Sequence, residues 1–155
     1  MSTSLVDRLW YGQGRPLALL TPVAWLYRAV SESRRRKAWH ARNELLPVPV
    51  VVVGNITAGG TGKSPLTASL VQCMNQHGWK PVILSRGYGG KSSQYPLLVA
   101  DGTPAGICGD EPLMLARSTG CPVVVDPDRC RGARWALENG LGDVLICDDG
   151  LQHYR

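Results

Sequence analysis

A run of four valines, Val50–Val53, leads directly into a glycine-rich turn that ends in Gly-Lys-Ser at residues 62–64. The valine run is typical of a buried strand, because β-branched side chains fit a pleated surface. The apolar spacing after Ser64 is typical of a helix. A strand, a glycine-rich turn and a Lys-Ser pair that opens a helix together indicate a P-loop. The alternative is a plain βα turn with an incidental lysine, and we favour the P-loop.

The P-loop interpretation assigns a role to each residue of the turn. Glycines let successive backbone N–H groups converge on phosphate oxygens, and the helix N-terminus adds partial positive charge. Lys63 is expected to reach the β- and γ-phosphates, and the Ser64 hydroxyl to bind Mg²⁺. Thr57 occupies the position where the usual pattern has its first glycine. The predicted phosphate-binding residues are Thr57, Ala58, Gly59, Gly60, Thr61, Gly62, Lys63 and Ser64.

Strand-like and helix-like segments alternate behind this turn. Short apolar runs at 81–84, 95–100, 122–125 and 144–147 predict strands, and segments 66–77, 111–119 and 128–139 predict helices. Such alternation predicts an α/β fold with a P-loop NTPase-like, mostly parallel sheet and helices on both faces. We assign residues 47–155 to this nucleotide-binding domain. Ligands of such sheets bind beyond the carboxyl ends of the strands.

Carboxylates stand at two of these expected ends. Asp148 and Asp149 follow an apolar strand, which is where the Mg²⁺-binding acid of P-loop enzymes lies, although Asp-Asp-Gly is also an ordinary turn. Asp110 and Glu111 lie between Gly109 and a proline. Either could be a general base, but their position alone favours a helix N-cap.

Arginines near two further strand ends are candidates for phosphate contacts. Arg86 lies in the glycine-rich segment Ser-Arg-Gly-Tyr-Gly-Gly, whose glycines also suit a mobile loop. A second charged group could serve the same anionic site, although each member taken singly is more often a surface residue. That group comprises Asp126, Asp128, Arg129 and Arg131.

Residues 1–46 form a separate segment that carries the whole net charge of +5, with eight basic and three acidic residues. Within it, residues 16–30 are almost entirely apolar, and as a helix they would span roughly 22 Å, short of the ~30 Å hydrocarbon core. Flanking tryptophans and the basic run 34–37 favour an amphipathic helix that lies in an anionic membrane interface. The alternative is an ordinary helix packed on the α/β core. This charge distribution argues against a nucleic-acid-binding surface on the catalytic part.

The five cysteines are scattered without any C-x-x-C pair. Odd number and irregular spacing favour reduced, buried thiols in a cytosolic protein and argue against a structural metal site.

Five motifs in this order resemble one family. They are GNITAGGTGKSP, LSRGYGG, GDEPLMLA, PVVVDPDR and DDGLQHYR. Together they resemble the tetraacyldisaccharide 4′-kinases, the lipid A 4′-kinases of Gram-negative bacteria. The loop of that family is similar to T-x-G-G-T-G-K-[ST], so Thr57 agrees with it.

The resemblance implies ATP- and Mg²⁺-dependent phosphorylation of the 4′-hydroxyl of a tetraacylated glucosamine disaccharide 1-phosphate, which gives lipid IVA. It implies that Asp110 is the base, assisted by Glu111, which reverses the preference for a cap. It further implies Mg²⁺ contacts for Ser64, Asp148 and Asp149. The candidates for contacts with substrate or phosphate are Asn55, Arg86, Gln152 and His153. The implied location is peripheral, on the cytoplasmic face of the inner membrane, in contact with its anionic lipids.

Members of this family are about twice as long and have a second α/β lobe, with a histidine that pairs with the base. We therefore expect this chain to be a fragment or a truncated product with little activity of its own. Two other interpretations stay open. One is a membrane-targeted P-loop ATPase switch without a lipid acceptor, and the other is an inactive remnant.

Overall fold

The computed structural model describes residues 21–40, 46–54 and 62–148. They fall into two compact units, one with the first helix and one with all the other elements. The helices are α1 (Thr21–His40), α2 (Lys63–Gln76), α3 (Ala105–Cys108), α4 (Asp110–Thr119) and α5 (Arg129–Glu138). The strands are β1 (Val50–Val53), β2 (Pro81–Ser85), β3 (Leu97–Leu98), β4 (Val123–Val125) and β5 (Val144–Asp148).

The strands form one five-stranded sheet in the order β1-β5-β2-β4-β3. β1, β5, β2 and β4 pair in parallel, and the two-residue strand β3 pairs antiparallel with β4 at the edge. This confirms the predicted α/β fold with a mostly parallel sheet. The four parallel strands run in one direction, so the residues that follow β1, β2, β4 and β5 all lie at the same end of the sheet. We call this end, where the carboxyl ends of the strands meet, the carboxyl edge.

Alternating side chains of the strands supply two hydrophobic cores. On β2, Ile83 joins the core that α2 and α4 cover through Val71 and Leu115. Its neighbours Val82 and Leu84 join the opposite core, which α5 covers with Ala133 and Ala136. Strand side chains point alternately to the two faces, so a strand buried on both sides is apolar throughout. All five residues of β2 are buried.

Several element boundaries differ from the predicted ones. The first helix after the turn begins at Lys63, three residues before the predicted start, and β3 is two residues long instead of six. The short helix α3 was not predicted, because its four residues are too few to show a helical period. Asp128 is the N-cap of α5, and Arg129 is the first helical residue.

In the first unit, α1 extends over 20 residues, so it continues through the basic run that was expected to follow the helix. Its side chains Val23, Leu26, Tyr27 and Val30 are exposed and recur at the spacing of one helical face. Residues 16–20, the start of the predicted helix, lie outside the described residues. In the described part of the chain, no helix is long and apolar enough to cross a membrane.

Candidate active site

The first turn of α2 brings the Gly-Lys-Ser sequence to the carboxyl edge of the sheet. Gly62 precedes the helix with φ of 74°, in the left-handed region that glycine tolerates best. The Ser64 hydroxyl, one residue into the helix, donates a hydrogen bond of 2.8 Å to Oε1 of Glu111. This contact joins two sequence motifs that lie 47 residues apart. Asn55 and Thr57 to Thr61 lie outside the described residues.

Asp110 and Glu111 are the first two residues of α4, and neither is its N-cap. The N-cap is Gly109, so the predicted capping role is wrong. Both carboxylates instead lie in the first turn, where the helix dipole favours negative charge. Their environments differ, because Asp110 is exposed while Glu111 is half-buried and bonded to Ser64.

The glycine-rich segment after β2 packs directly on the turn before α4. Gly109 has φ of 94°, and a Cβ atom there would lie 2.7 Å from the carbonyl oxygen of Tyr88. A Cβ atom on Gly90 would lie 2.6 Å from both the Gly109 nitrogen and the Ile107 carbonyl oxygen. The glycines therefore permit close backbone packing between the two motifs. Arg86 and Tyr88 are exposed on this segment.

Asp148, the last residue of β5, is 1% exposed. Its Oδ1 accepts a hydrogen bond of 3.4 Å from the hydroxyl of Thr67, a fully buried residue of α2. Its main-chain carbonyl accepts a hydrogen bond from Nη2 of Arg129, at the start of α5. Helices on opposite faces of the sheet therefore both contact this residue. Asp149, Gln152 and His153 lie outside the described residues.

Asp126 follows β4 and forms a second buried acidic position, also 1% exposed. Arg131 donates to it twice, from Nε to Oδ2 and from Nη2 to Oδ1, at 2.8 Å each. This hydrogen bonding raises the pKa of Arg131 above its ordinary value. Asp128 caps α5 by accepting from the backbone N–H groups of Cys130 and Arg131. Three members of the charged group, Asp126, Asp128 and Arg131, are therefore joined by hydrogen bonds, whereas Arg129 contacts Asp148.

The cysteines are all free, and only part of the expected burial is correct. Cys108 and Cys121 are buried, Cys147 is half-buried, and Cys73 and Cys130 are exposed. Burial raises the pKa of the Cys147 thiol, which lies beside Asp148 on β5. Burial thus disfavours the thiolate, which is the nucleophilic and metal-binding form of cysteine.

The oxygen atoms at this edge suit a Mg²⁺–nucleotide complex. Ser64, Glu111 and Asp148 offer hard oxygen donors, which Mg²⁺ prefers. In the part of the chain that the structure describes, no three His, Cys, Asp or Glu side chains form a group that could hold a metal ion. Mg²⁺ commonly uses one or two carboxylates and takes its other ligands from water and substrate phosphates, so the set present fits that mode.

Sequence reasoning identified Ser64, Glu111 and Asp148 as candidates but missed Thr67. A signal was available, because Thr67 lies three residues after Ser64 and so shares its helix face. Its partner on β5 is 81 residues away, and only the fold shows that the two residues are neighbours.

Comparison with known proteins gives one consistent result. The family model described as tetraacyldisaccharide-1-P 4′-kinase (LpxK) matches residues 16–155. The tetraacyldisaccharide 4′-kinase of Vibrio campbellii is 46% identical over 97% of this chain and 46% of its own length. The corresponding protein of Pseudomonas fluorescens is 43% identical over 98% of this chain and 47% of its own length. The chain thus spans about half the length of the curated relatives it matches.

A solved structure shares the fold. It is the LpxK of Aquifex aeolicus in complex with ATP, with a TM-score of 0.75 and 33% identity. The match covers 88% of this chain and 45% of that one.

Proposed function

The chain belongs to the tetraacyldisaccharide 4′-kinase family, and from this premise we propose that it transfers the γ-phosphoryl group of ATP to the 4′-hydroxyl of a tetraacylated disaccharide 1-phosphate. The observation that carries the proposal is the 2.8 Å hydrogen bond between Ser64 and Glu111. It links the Lys-Ser pair at the start of α2 to the acidic turn at the start of α4. This contact supports a site in which a phosphate-binding turn lies next to a candidate proton acceptor, as in-line phosphoryl transfer requires.

The two acidic residues of α4 support a division of roles. Glu111 is half-buried and already accepts the Ser64 hydroxyl, so we assign it to the metal side of the site. Asp110 is exposed at the same edge, where an acceptor hydroxyl can approach. Asp110 takes the proton of the 4′-hydroxyl as that oxygen forms its bond to the γ-phosphorus. The bond from the γ-phosphorus to the β–γ bridging oxygen breaks, and ADP leaves with its electron pair.

The remaining residues bind and neutralise the nucleotide. Backbone N–H groups of residues 57–64 and the Lys63 ammonium group hold the phosphates. Ser64, Asp148 and Asp149 would hold Mg²⁺, which when bound neutralises charge on the β- and γ-phosphates. Catalysis then rests mainly on position and electrostatics. Asn55, Arg86, Gln152 and His153 are the proposed contacts with substrate or phosphate.

The deciding experiment uses the complete gene product in detergent micelles with γ-labelled ATP, Mg²⁺ and the tetraacyl disaccharide 1-phosphate. We expect label at the 4′-position of the lipid. Hydrolysis of ATP without labelled lipid would favour the ATPase switch, and an inert protein would favour the inactive remnant. The 155-residue form, tested in parallel, shows how much activity these residues have alone.

Variants test the assigned residues within that assay. Lys63→Ala removes a charge that stabilises the transition state, and we expect a loss of about 10²–10³-fold in kcat. Asp110→Ala is expected to lose a factor of about 10²–10⁴. The matched controls Lys91→Ala and Asp101→Ala change exposed residues of the same types and are expected to keep normal turnover. Normal turnover in Lys63→Ala would overturn the P-loop assignment.

We also propose that α1 lies in the interface of the inner membrane, on its cytoplasmic face, where it contacts anionic lipids and the lipid A precursor. Support comes from the exposed side chains of Trp25, Leu26 and Tyr27 and from the excess of basic residues in this segment. Apolar side chains stabilise such binding through burial, and cations add attraction to anionic headgroups. Binding to anionic vesicles that weakens at high salt is the expected result. Absence of binding at any salt concentration would overturn this proposal.

A further inference from the structure

Thr67 is a fully buried threonine in the first half of α2. A hydroxyl group that leaves water on folding needs a hydrogen-bond partner, because an unsatisfied one costs about 1–3 kcal/mol. Its Oγ1 donates to Oδ1 of Asp148 at 3.4 Å. A buried hydroxyl is thus directed at the one described carboxylate of β5.

The position of Thr67 on α2 connects this contact to the phosphate-binding turn. Ser64 and Thr67 are three residues apart, so their side chains lie on the same face of the helix. Ser64 donates to Glu111, while Thr67 donates to Asp148. The beginning of α2 therefore contacts both acidic positions through two neutral hydroxyl groups.

Arg129 contacts the same strand end from the other face of the sheet, where it bonds the main chain. It donates to the carbonyl oxygen of Asp148, and that contact restrains the backbone. Rotation of the carboxylate about its own side-chain bonds is a separate degree of freedom. The Thr67 hydroxyl acts on this rotation, because it bonds a carboxylate oxygen.

We propose that Thr67 is a positioning residue that orients the Asp148 carboxylate for a Mg²⁺–nucleotide complex. The inference rests on the proposed function in taking Asp148 as a carboxylate that faces the metal. Partners that hydrogen-bond a metal ligand typically change metal affinity by 10- to 100-fold when they are removed. Because the Thr67 contact is a long one, we expect an effect of about tenfold at the lower end of that range.

Two substitutions separate the hydroxyl from the shape of the side chain. Thr67→Val keeps the branched shape and removes the hydroxyl, whereas Thr67→Ser keeps the hydroxyl. The readout is the affinity for Mn²⁺ in the presence of ATP, measured by electron paramagnetic resonance on the complete gene product. We expect Thr67→Val to weaken Mn²⁺ binding about tenfold and Thr67→Ser to stay within about threefold of the wild type. ATP affinity in EDTA is expected to be unchanged in both variants.

A second threonine provides the control for a merely structural effect. Thr119, at the end of α4, donates its hydroxyl to the Leu115 carbonyl at 2.7 Å, away from the proposed site. Thr119→Val is expected to lower the stability in urea without changing Mn²⁺ affinity. Equal Mn²⁺ affinity in Thr67→Val and wild type would overturn the proposal, as would equal losses in the Val and Ser variants of Thr67.

The outcome is distinguishable from failure of the proposed function. If the wild type binds Mn²⁺ with ATP but labels no lipid, the kinase proposal fails while the Thr67 comparison stands. If the lipid is labelled and the two Thr67 variants behave alike, only the positioning role fails. A wild-type protein that binds no Mn²⁺ with ATP would overturn the positioning role as well.

Discussion

Two buried aspartates at the carboxyl edge of the sheet are held in different ways. Asp126 follows β4 and Asp148 ends β5, and each is 1% exposed. Both oxygens of Asp126 accept from the guanidinium group of Arg131, and Oδ1 also accepts from the Asp128 backbone. On Asp148, the carboxylate accepts from the neutral hydroxyl of Thr67, and the main-chain carbonyl accepts from Arg129.

From this difference we infer that Asp126 serves the fold, and we propose that Asp148 serves the chemistry. A carboxylate paired bidentately with an arginine has its charge balanced within the protein, and removal of one partner destabilises the fold. The Asp148 carboxylate accepts from a neutral hydroxyl, and a hydroxyl donor orients a carboxylate without adding a positive charge. The comparison predicts a loss of stability from changes at Asp126 and a loss of turnover from changes at Asp148.

The largest expected effect is on turnover. Asp148→Asn keeps the size of the side chain and an oxygen that can accept from Thr67, but it removes the charge assigned to Mg²⁺. We expect kcat for lipid phosphorylation to fall about 10²–10³-fold, comparable to the loss of one preorganised electrostatic group. The free energy of unfolding, measured in urea, is expected to change by less than about 1 kcal/mol. A variant with kcat within a few-fold of wild type would place Asp148 with Asp126, as a structural residue.

The next effect is on stability. Asp126→Asn breaks a charge-assisted pair at a buried acceptor while Arg131 stays half exposed, so we expect the free energy of unfolding to fall by about 1–3 kcal/mol. Turnover per folded molecule is expected to change little. Arg131→Lys is the matched variant, because it keeps the charge and loses the bidentate geometry. We expect it to lower the free energy of unfolding by less than Asp126→Asn does. Urea unfolding measures the stability of both variants. An Asp126→Asn variant of normal stability and low turnover would reverse the comparison.

The sequence permitted a correct prediction of the framework of this edge. Apolar runs that end in polar residues indicated the parallel strands, and the Gly-Lys-Ser turn indicated a helix behind it, although α2 begins at Lys63, three residues before the predicted start. These features are local, because each depends on a few consecutive residues. The candidates Ser64, Glu111 and Asp148 could be identified for the same reason.

The roles and partners of individual charged residues were not predictable in this way. Spacing favoured Asp110 or Glu111 as an N-cap, but Gly109 holds that position, with a backbone conformation and close packing that suit glycine. Arg131 was considered for phosphate binding because its charge is visible in the sequence. Although Asp126 is only five residues away, its hydrogen bond with Arg131 depends on the three-dimensional path of the chain between β4 and α5, which the sequence does not show.

The smallest expected effect concerns a third aspartate, Asp128, which is exposed and caps α5. Asp128→Ala removes the acceptor of two backbone N–H groups and is expected to cost about 1 kcal/mol, whereas Asp128→Gly should cost only a few tenths. Thermal unfolding measures the stability of both variants, and we expect the melting temperature of the alanine variant to fall by about 2–4 °C.

The Asp128 backbone N–H also donates to Asp126 at 2.7 Å, so the cap and the ion pair can be coupled. A double-mutant cycle of Asp128→Ala and Asp126→Asn tests this coupling. Additive losses would show that the cap stabilises α5 independently of the ion pair. A coupling energy above about 0.5 kcal/mol would show that cap and pair form one unit, which would make the β4 end a more rigid support than the cap alone. The same cycle between Asp128→Ala and Asp148→Asn is expected to be additive, because the two carboxylates accept hydrogen bonds from different groups.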